Sequence, residues 1–247
     1  MSKFSIIGEI NRKTMFFNNR LSEVVNKKQD ILRTVYNFHN CEPQSVLFVG
    51  LSAFVFANYN KAKLYITHVS EDDLEFLKSL NKNVTYIPFE ELKDYYKKFQ
   101  MVVAADEYFT YAKTDEDQKR MVEQLSYVTS NFLLTTLRDL KNQEYRDREF
   151  SIPVTLRHND DHRILLEANT HSVLDKHSWT STVYEIDATN NVLKSYGPFD
   201  RKSMFFKQLA KFSSDCGAVH FMIHKNAMYK GMLRKNYEHV ITIDYNF

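Results

Sequence analysis

Between Ser45 and Thr136 the chain alternates short apolar runs with helical stretches, and this alternation limits the fold more than any other feature. Ser45 to Val49 (SVLFV) is a continuous apolar run, the form a strand takes when both of its faces are covered. Gly50-Leu51-Ser52 turns the chain, and Ala53 to Ala57 opens a short helix. Lys63 to Thr67 is a second strand, and Ser70 then caps a helix to Ser79 that carries acids in its first turn. Val84 to Ile87 is a third strand, Pro88 to Tyr96 a short helix, and Met101 to Ala104 a fourth strand. Thr114 to Asp117 caps a helix with Met121, Val122, Leu125 and Val128 on one face; Phe132 to Thr136 is a fifth strand. Strand, helix, strand, helix in succession requires crossover connections, hence a mostly parallel, doubly wound α/β sheet with helices on both faces. Ligands of such sheets bind at the carboxyl ends of the strands, near the switch in strand order.

The flanks differ in character. Residues 1–18 form an N-terminal arm, and apolar residues at helical spacing from Leu21 to Phe38 predict one or two helices that Glu42-Pro43 ends. Beyond residue 142 comes an α+β elaboration. Pro153 to Arg157 and Arg163 to Glu167 flank a turn-rich His158 to His162, and Thr180 to Ile186 pairs with Val192 to Tyr196. Asp200 caps a helix from Arg201 to Phe212, and Val219 to Ile223 and His239 to Ile243 close the sheet as an antiparallel pair. The domain organisation read from this is a lead-in over 1–42 and one domain over 43–247, with its core at 43–142.

At 247 residues and 43% apolar composition, the chain can bury a core without disulfides or metal. Its two cysteines, Cys41 and Cys216, lie too far apart in sequence for a C-x-x-C motif and suit a reducing compartment. No secretory h-region and no run of about 18 uncharged apolar residues is present, so a cytoplasmic location without membrane contact is expected. The net charge of +2 hides an uneven distribution. Residues 71–117 carry 12 acids against 6 bases, and residues 194–239 carry 9 bases against 3 acids. That basic third, with Lys225, Lys230, Arg234 and Lys235 among its aromatics, would suit a phosphate backbone; solvated helix faces explain it equally well.

The run from Pro43 to about Asn142 resembles the core of the class I, Rossmann-like S-adenosylmethionine-dependent methyltransferases. Ser45 to Ser52 (SVLFVGLS) resembles that family's first strand and glycine-rich loop, Phe99 to Phe109 its fourth strand and following motif, and Asn131 to Leu137 its fifth strand. The resemblance implies S-adenosylmethionine as cofactor. Gly50 and Ser52 would flank its methionine moiety, His68 or Glu71 its ribose, and Glu90 its adenine. Asp106 and Glu107 are the implied catalytic pair, with Asp106 at the edge of the substrate cleft. The family's sixth and seventh strands form an antiparallel hairpin, which matches the two closing strands. The departures are a loop with one glycine and a histidine, His68, where the family usually has a ribose-binding acid.

Two functions follow. One is methyl transfer to an unidentified substrate, where catalysis is mostly proximity and orientation. The other is a methyltransferase-like binding or scaffold subunit without catalysis, contacting nucleic acid or protein; the depleted glycine loop favours it. A different nucleotide-binding enzyme is disfavoured, because neither G-x-G-x-x-G nor a Walker A pattern occurs. His158, Asp160, Asp161, His162, Glu167, His171 and His177 invite a metal reading, but Asn159-Asp160-Asp161 reads as a turn that sends the rings apart, so no metal is expected. Arg138 reads as a surface ion-pair partner and Trp179 as core.

Overall fold

The computed structural model describes residues 31–32, 35–40, 42–50, 52, 62–69, 71–80, 83–138, 148–150, 154–158, 161–175, 177–187, 189–230 and 237–246. Strand β1 (Ser45–Val49) lies between β2 (Lys63–Thr67) and β4 (Phe99–Ala104), parallel to both. Strand β3 (Val84–Tyr86) extends the sheet beyond β2, and β5 (Thr129–Leu137) extends it beyond β4, again in parallel. Beyond β5 lie β12 (Tyr237–Asp244) and β11 (His220–Lys230), both antiparallel to their neighbours. The seven-stranded order is β11-β12-β5-β4-β1-β2-β3, so the doubly wound sheet and its antiparallel closing pair are both present.

The unbroken apolar runs of β1 and β4 follow from cores on both faces. Leu47, Val49, Val102 and Ala104 point to one face, where they pack with Val122, Leu125 and Val128 of α2 (Asp115–Val128) and Leu209 of α3 (Phe206–Asp215). Val46, Phe48, Met101 and Val103 point to the other, against Leu32 and Val35 of the helical lead-in and Leu77 of α1 (Glu71–Leu80). Burying each of the Val, Leu, Phe and Met side chains among these contributes roughly 1.5–3 kcal/mol. Helix α2 starts where the sequence places it: the Thr114 hydroxyl accepts the Asp117 amide at 3.1 Å, and the Asp117 carboxylate accepts the Thr114 amide at 3.2 Å, a reciprocal capping box.

Between β5 and α3 the chain builds a second, antiparallel sheet with the order β10-β9-β8-β6, in which β7 also pairs with β8. Its strands are β6 (Arg148–Phe150), β7 (Val154–His158), β8 (Asp161–His171), β9 (Ser178–Asp187) and β10 (Val192–Lys202). Strand β9 alternates half-exposed and buried residues along its whole length, the pattern of a sheet covered on one face. Residues 158 and 161 pair across the β7–β8 turn, so the turn-rich segment is a hairpin.

The expected helix at Arg201 is corrected. Asp200, Arg201 and Lys202 pair with Thr180, Trp179 and Ser178 as the end of β10, and α3 starts only at Phe206. Strand pairing wins because it buries Phe199 and Arg201 on one side, at 5% and 2% exposure, and leaves Asp200 outside. Residues 1–30, the Ala53 to Ala57 helix and the Ser70 cap lie outside the described residues.

Candidate functional site

The strand order reverses between β1 and β4, which opens a crevice at their carboxyl ends. Left-handed backbone gathers along that rim. Gly50 after β1 has φ +56°, His68 after β2 has +62°, and Asp106 and Glu107 after β4 have +64° and +53°. For residues other than glycine this conformation costs about 1–3 kcal/mol, and it persists only where neighbours over-determine it.

The neighbours are identifiable. The Gly50 amide donates to the Thr67 carbonyl at 3.0 Å, joining the ends of β1 and β2. The Ser52 hydroxyl accepts the Ala105 amide at 2.7 Å and is fully buried, so it stitches the first loop to the end of β4. The amides of Asp106 and Glu107 both donate to the Thr136 hydroxyl on β5, at 2.8 and 3.4 Å, and that hydroxyl donates to Glu238 of β12 at 2.5 Å. A 3₁₀ turn, Tyr108–Thr110, follows at once, closed by the Thr110 amide on the Glu107 carbonyl.

Asp106 and Glu107 are adjacent in sequence but have separate surroundings. Asp106 is 9% exposed at the rim. Glu107 is 1% exposed, and its carboxylate accepts from Arg138 Nε at 2.7 Å and from an Arg201 terminal nitrogen at 3.5 Å. The resemblance implies a catalytic role for Glu107; in the structure its carboxylate holds two arginines. Arg138 is accordingly the partner of a buried acid and not a surface ion pair. The Arg201 guanidinium also donates to the Thr110 hydroxyl at 2.6 Å and lies 3.6 Å from the centre of the Tyr111 ring.

At the β2 end, His68 stacks on Phe89 with ring centres 4.3 Å apart, and its Nδ1 lies 2.8 Å from the Tyr108 hydroxyl. Glu71 begins α1 and Glu90 sits in the 3₁₀ turn Phe89–Asp94; both are exposed. Burial, followed by Glu90 and Glu71, pushes the Tyr86 phenol above its ordinary range, so the two acids share one electronegative edge. The rim thus brings together Gly50, His68, Asp106 and Glu107, with the Ser52 hydroxyl and the Glu107 carboxylate bonded to groups inside the protein.

Beyond Tyr111 lies a cavity of about 320 Å³ lined by Tyr111, Lys113, Met121, Pro198, Phe199 and Asp200, among others. It opens between the loop that follows β4, the first turns of α2 and the end of β10. Of the basic patch, Lys225 is exposed on β11; the Lys230 side chain, Arg234 and Lys235 lie outside the described residues. Among the described residues no group of three His, Cys, Asp or Glu side chains is arranged to hold a metal ion. No described helix is long and apolar enough to cross a membrane. Sequence reasoning missed Arg201, Thr136 and Tyr108. For Arg201 a signal existed: the Phe199-Asp200-Arg201 alternation continues the strand.

No family model and no curated protein sequence matches the chain. Solved structures do. The crystal structure of Streptomyces venezuelae DesVI is similar at 12% identity with a TM-score of 0.66, covering 92% of each chain. The CcbJ methyltransferase from Streptomyces caelestis is similar at 14% identity and a TM-score of 0.61, over 85% of this chain and 86% of its own. CalS10 from Micromonospora echinaspora, an amino pentose methyltransferase solved with S-adenosylmethionine bound, is similar at 9% identity and a TM-score of 0.59, over 93% and 92%. With its strand order, its antiparallel closing pair and these neighbours, the chain has the fold of the class I S-adenosylmethionine-dependent methyltransferases.

Proposed function

We propose that the protein is an S-adenosylmethionine-dependent methyltransferase acting on a small molecule. The observation that carries this reading is the gathering of left-handed residues, Gly50, His68, Asp106 and Glu107, at the switch point. Conformations that cost energy cluster where a fold binds its ligand. The rim residues fit the cofactor. Glycine at Gly50 presents no Cβ at the turn where the methionine moiety would approach. His68 would offer a hydrogen-bonding ring to the ribose, Glu90 an acid to the adenine, and Asp106 a carboxylate at the reacting end. Bound there, the cofactor would supply an electrophilic methyl group on a sulfonium. Asp106 would hold the acceptor and take the proton its nucleophile releases, and the cavity beside Tyr111 would seat the rest of the acceptor. The amino pentose acceptor of CalS10 makes an amine the first substrate class to try.

A second reading, a binding subunit without catalysis, is favoured by the single glycine of the first loop and by the engagement of Ser52 and Glu107 inside the protein. Calorimetric titration with S-adenosylmethionine and S-adenosylhomocysteine separates the two. Micromolar binding that is lost in Gly50→Phe supports the enzyme, whereas no binding at millimolar cofactor sinks it and leaves the scaffold.

A further inference from the structure

Arg201 is a cation at 2% exposure on a strand outside the main sheet, yet its guanidinium hydrogen-bonds to Glu107 and Thr110 and lies on Tyr111, all in the segment after β4. Its guanidinium reaches Glu107, donates to Thr110 and covers the face of Tyr111; Trp179, its pairing partner on β9, lies 5.6 Å away on the accessory-sheet side. Arg138, at the end of β5, grips the second oxygen of the same Glu107 carboxylate. One carboxylate therefore ties together the main sheet, the accessory sheet and the turn that presents Asp106. Buried charges hold such geometry strictly, because taking away one partner leaves the other uncompensated.

We propose that Arg201 is a positioning residue: through Glu107 and Thr110 the accessory sheet holds the left-handed turn at Asp106 in the conformation the crevice needs. A planar guanidinium is required, because it must lie flat on Tyr111 while its edge donates to Thr110 and Glu107; an ammonium cannot do both. The accessory sheet is then part of the rim and not an appended layer, and anything that moves β10 moves Asp106. The clamp stands on the geometry alone; its effect on cofactor affinity rests on the methyltransferase reading.

Two readouts on the full chain test it: hydrogen exchange of the amides of residues 106–111, and calorimetric affinity for S-adenosylhomocysteine. Arg201→Met and Glu107→Gln, the latter removing only a charge, should each speed that exchange by about tenfold or more. Affinity should fall by a similar factor. Arg201→Lys should behave like Arg201→Met. The double variant should be less affected than the sum of the single changes, because the Arg201–Glu107 pair can be lost only once. Arg163→Met breaks a different ion pair of the accessory sheet, with the buried Glu185, and supplies the control for mere destabilisation. It should lower Tm and leave residues 106–111 unchanged. Wild-type exchange in Arg201→Met or Glu107→Gln would overturn the proposal, as would a wild-type-like Arg201→Lys or an equal effect from Arg163→Met. Failure of the wild-type protein to bind S-adenosylhomocysteine would sink the methyltransferase reading instead, and the exchange arm would still decide the clamp.

Discussion

The Tyr108 hydroxyl lies 2.8 Å from Nδ1 of His68 and joins the loop after β4 to the end of β2 across the crevice. Tyr108 is wholly buried, and burial holds its phenol far above the ordinary range, so it keeps its proton at any physiological pH. A phenol that keeps its proton can donate to a neutral Nδ1, and in that arrangement His68 carries its own proton on Nε2. That ring also stacks on Phe89, with centres 4.3 Å apart.

Tyr108→Phe removes the donor and keeps the packing. Stability should fall by about 1 kcal/mol, the net value of a typical hydrogen bond, and the tautomer protonated at Nδ1 should become populated. Nitrogen NMR of the His68 imidazole together with urea unfolding reads both. An unchanged tautomer ratio would mean that stacking on Phe89, and not Tyr108, orients the ring.

Acid should loosen the opposite end of the sheet. His39 stacks on Phe132 at 4.6 Å, and its Nε2 and the Nε2 of His224 both address the Thr242 hydroxyl, at 3.3 and 2.9 Å. One hydroxyl can accept from one ring and donate to the other only while a ring is neutral. Burial lowers both histidines below 6.5; His39 lowers His224 further, and Asp244 offsets part of the effect at His39. The folded protein therefore binds fewer protons than the unfolded chain just below 6.5, so this stability is complete above 6.5 and is lost as pH falls through it. Asp244, raised by burial and eased by His39 and His220, works in the opposite sense, since acid relieves its desolvation. Tm should drop as pH falls below about 6.5, and the drop should shrink in His39→Gln/His224→Gln. A parallel profile in that double variant would place the acid sensitivity elsewhere.

How much of this could be read in advance depends on how local the determining contacts are. The runs at Ser45 to Val49 and Met101 to Ala104, the Thr114–Asp117 box and the closing pair are set by period, capping chemistry and turn residues, all within a few positions, and all were legible. The alternation placed a crevice at the carboxyl ends of the strands, and the methyltransferase resemblance pointed to β1 and β4. Glu107 was not legible, because its partners Arg138 and Arg201 stand 31 and 94 positions away and nothing beside it tells an inward acid from an outward one. Arg201 was hidden for a related reason. Between Asp200 and Lys202 it looks like part of a solvated helix face; the Phe199-Asp200-Arg201 alternation is the one local sign of a strand, and pairing with Trp179 establishes it.

Gly197 joins the two halves of β10 at a point where no side chain fits. Its φ is +108°, and a Cβ there would stand 2.8 Å from the Ser181 carbonyl oxygen and 3.2 Å from the Phe199 ring. Gly197→Ala should cost about 2 kcal/mol or more by urea unfolding, with backbone strain and collision adding together. Gly217, at φ +84° with nothing within 4 Å, isolates the strain, so Gly217→Ala should cost about 1 kcal/mol. Equal losses at the two sites would show that the region around Ser181 yields.

Asp106 is the residue on which the enzyme reading turns, and its conformation dictates the useful substitution. At φ +64° an asparagine is tolerated nearly as well as an aspartate, whereas alanine adds strain of its own. Asp106→Asn keeps the shape and the amide bond to Thr136 while removing the carboxylate. If Asp106 takes a proton from the acceptor, methyl transfer should fall by about 10²–10⁴-fold, with Tm and S-adenosylhomocysteine affinity close to wild type. Asp106→Ala should lose the same activity and some stability as well. A variant that is unstable but fully active would assign Asp106 to the turn alone, and turnover unchanged in both would remove it from the site.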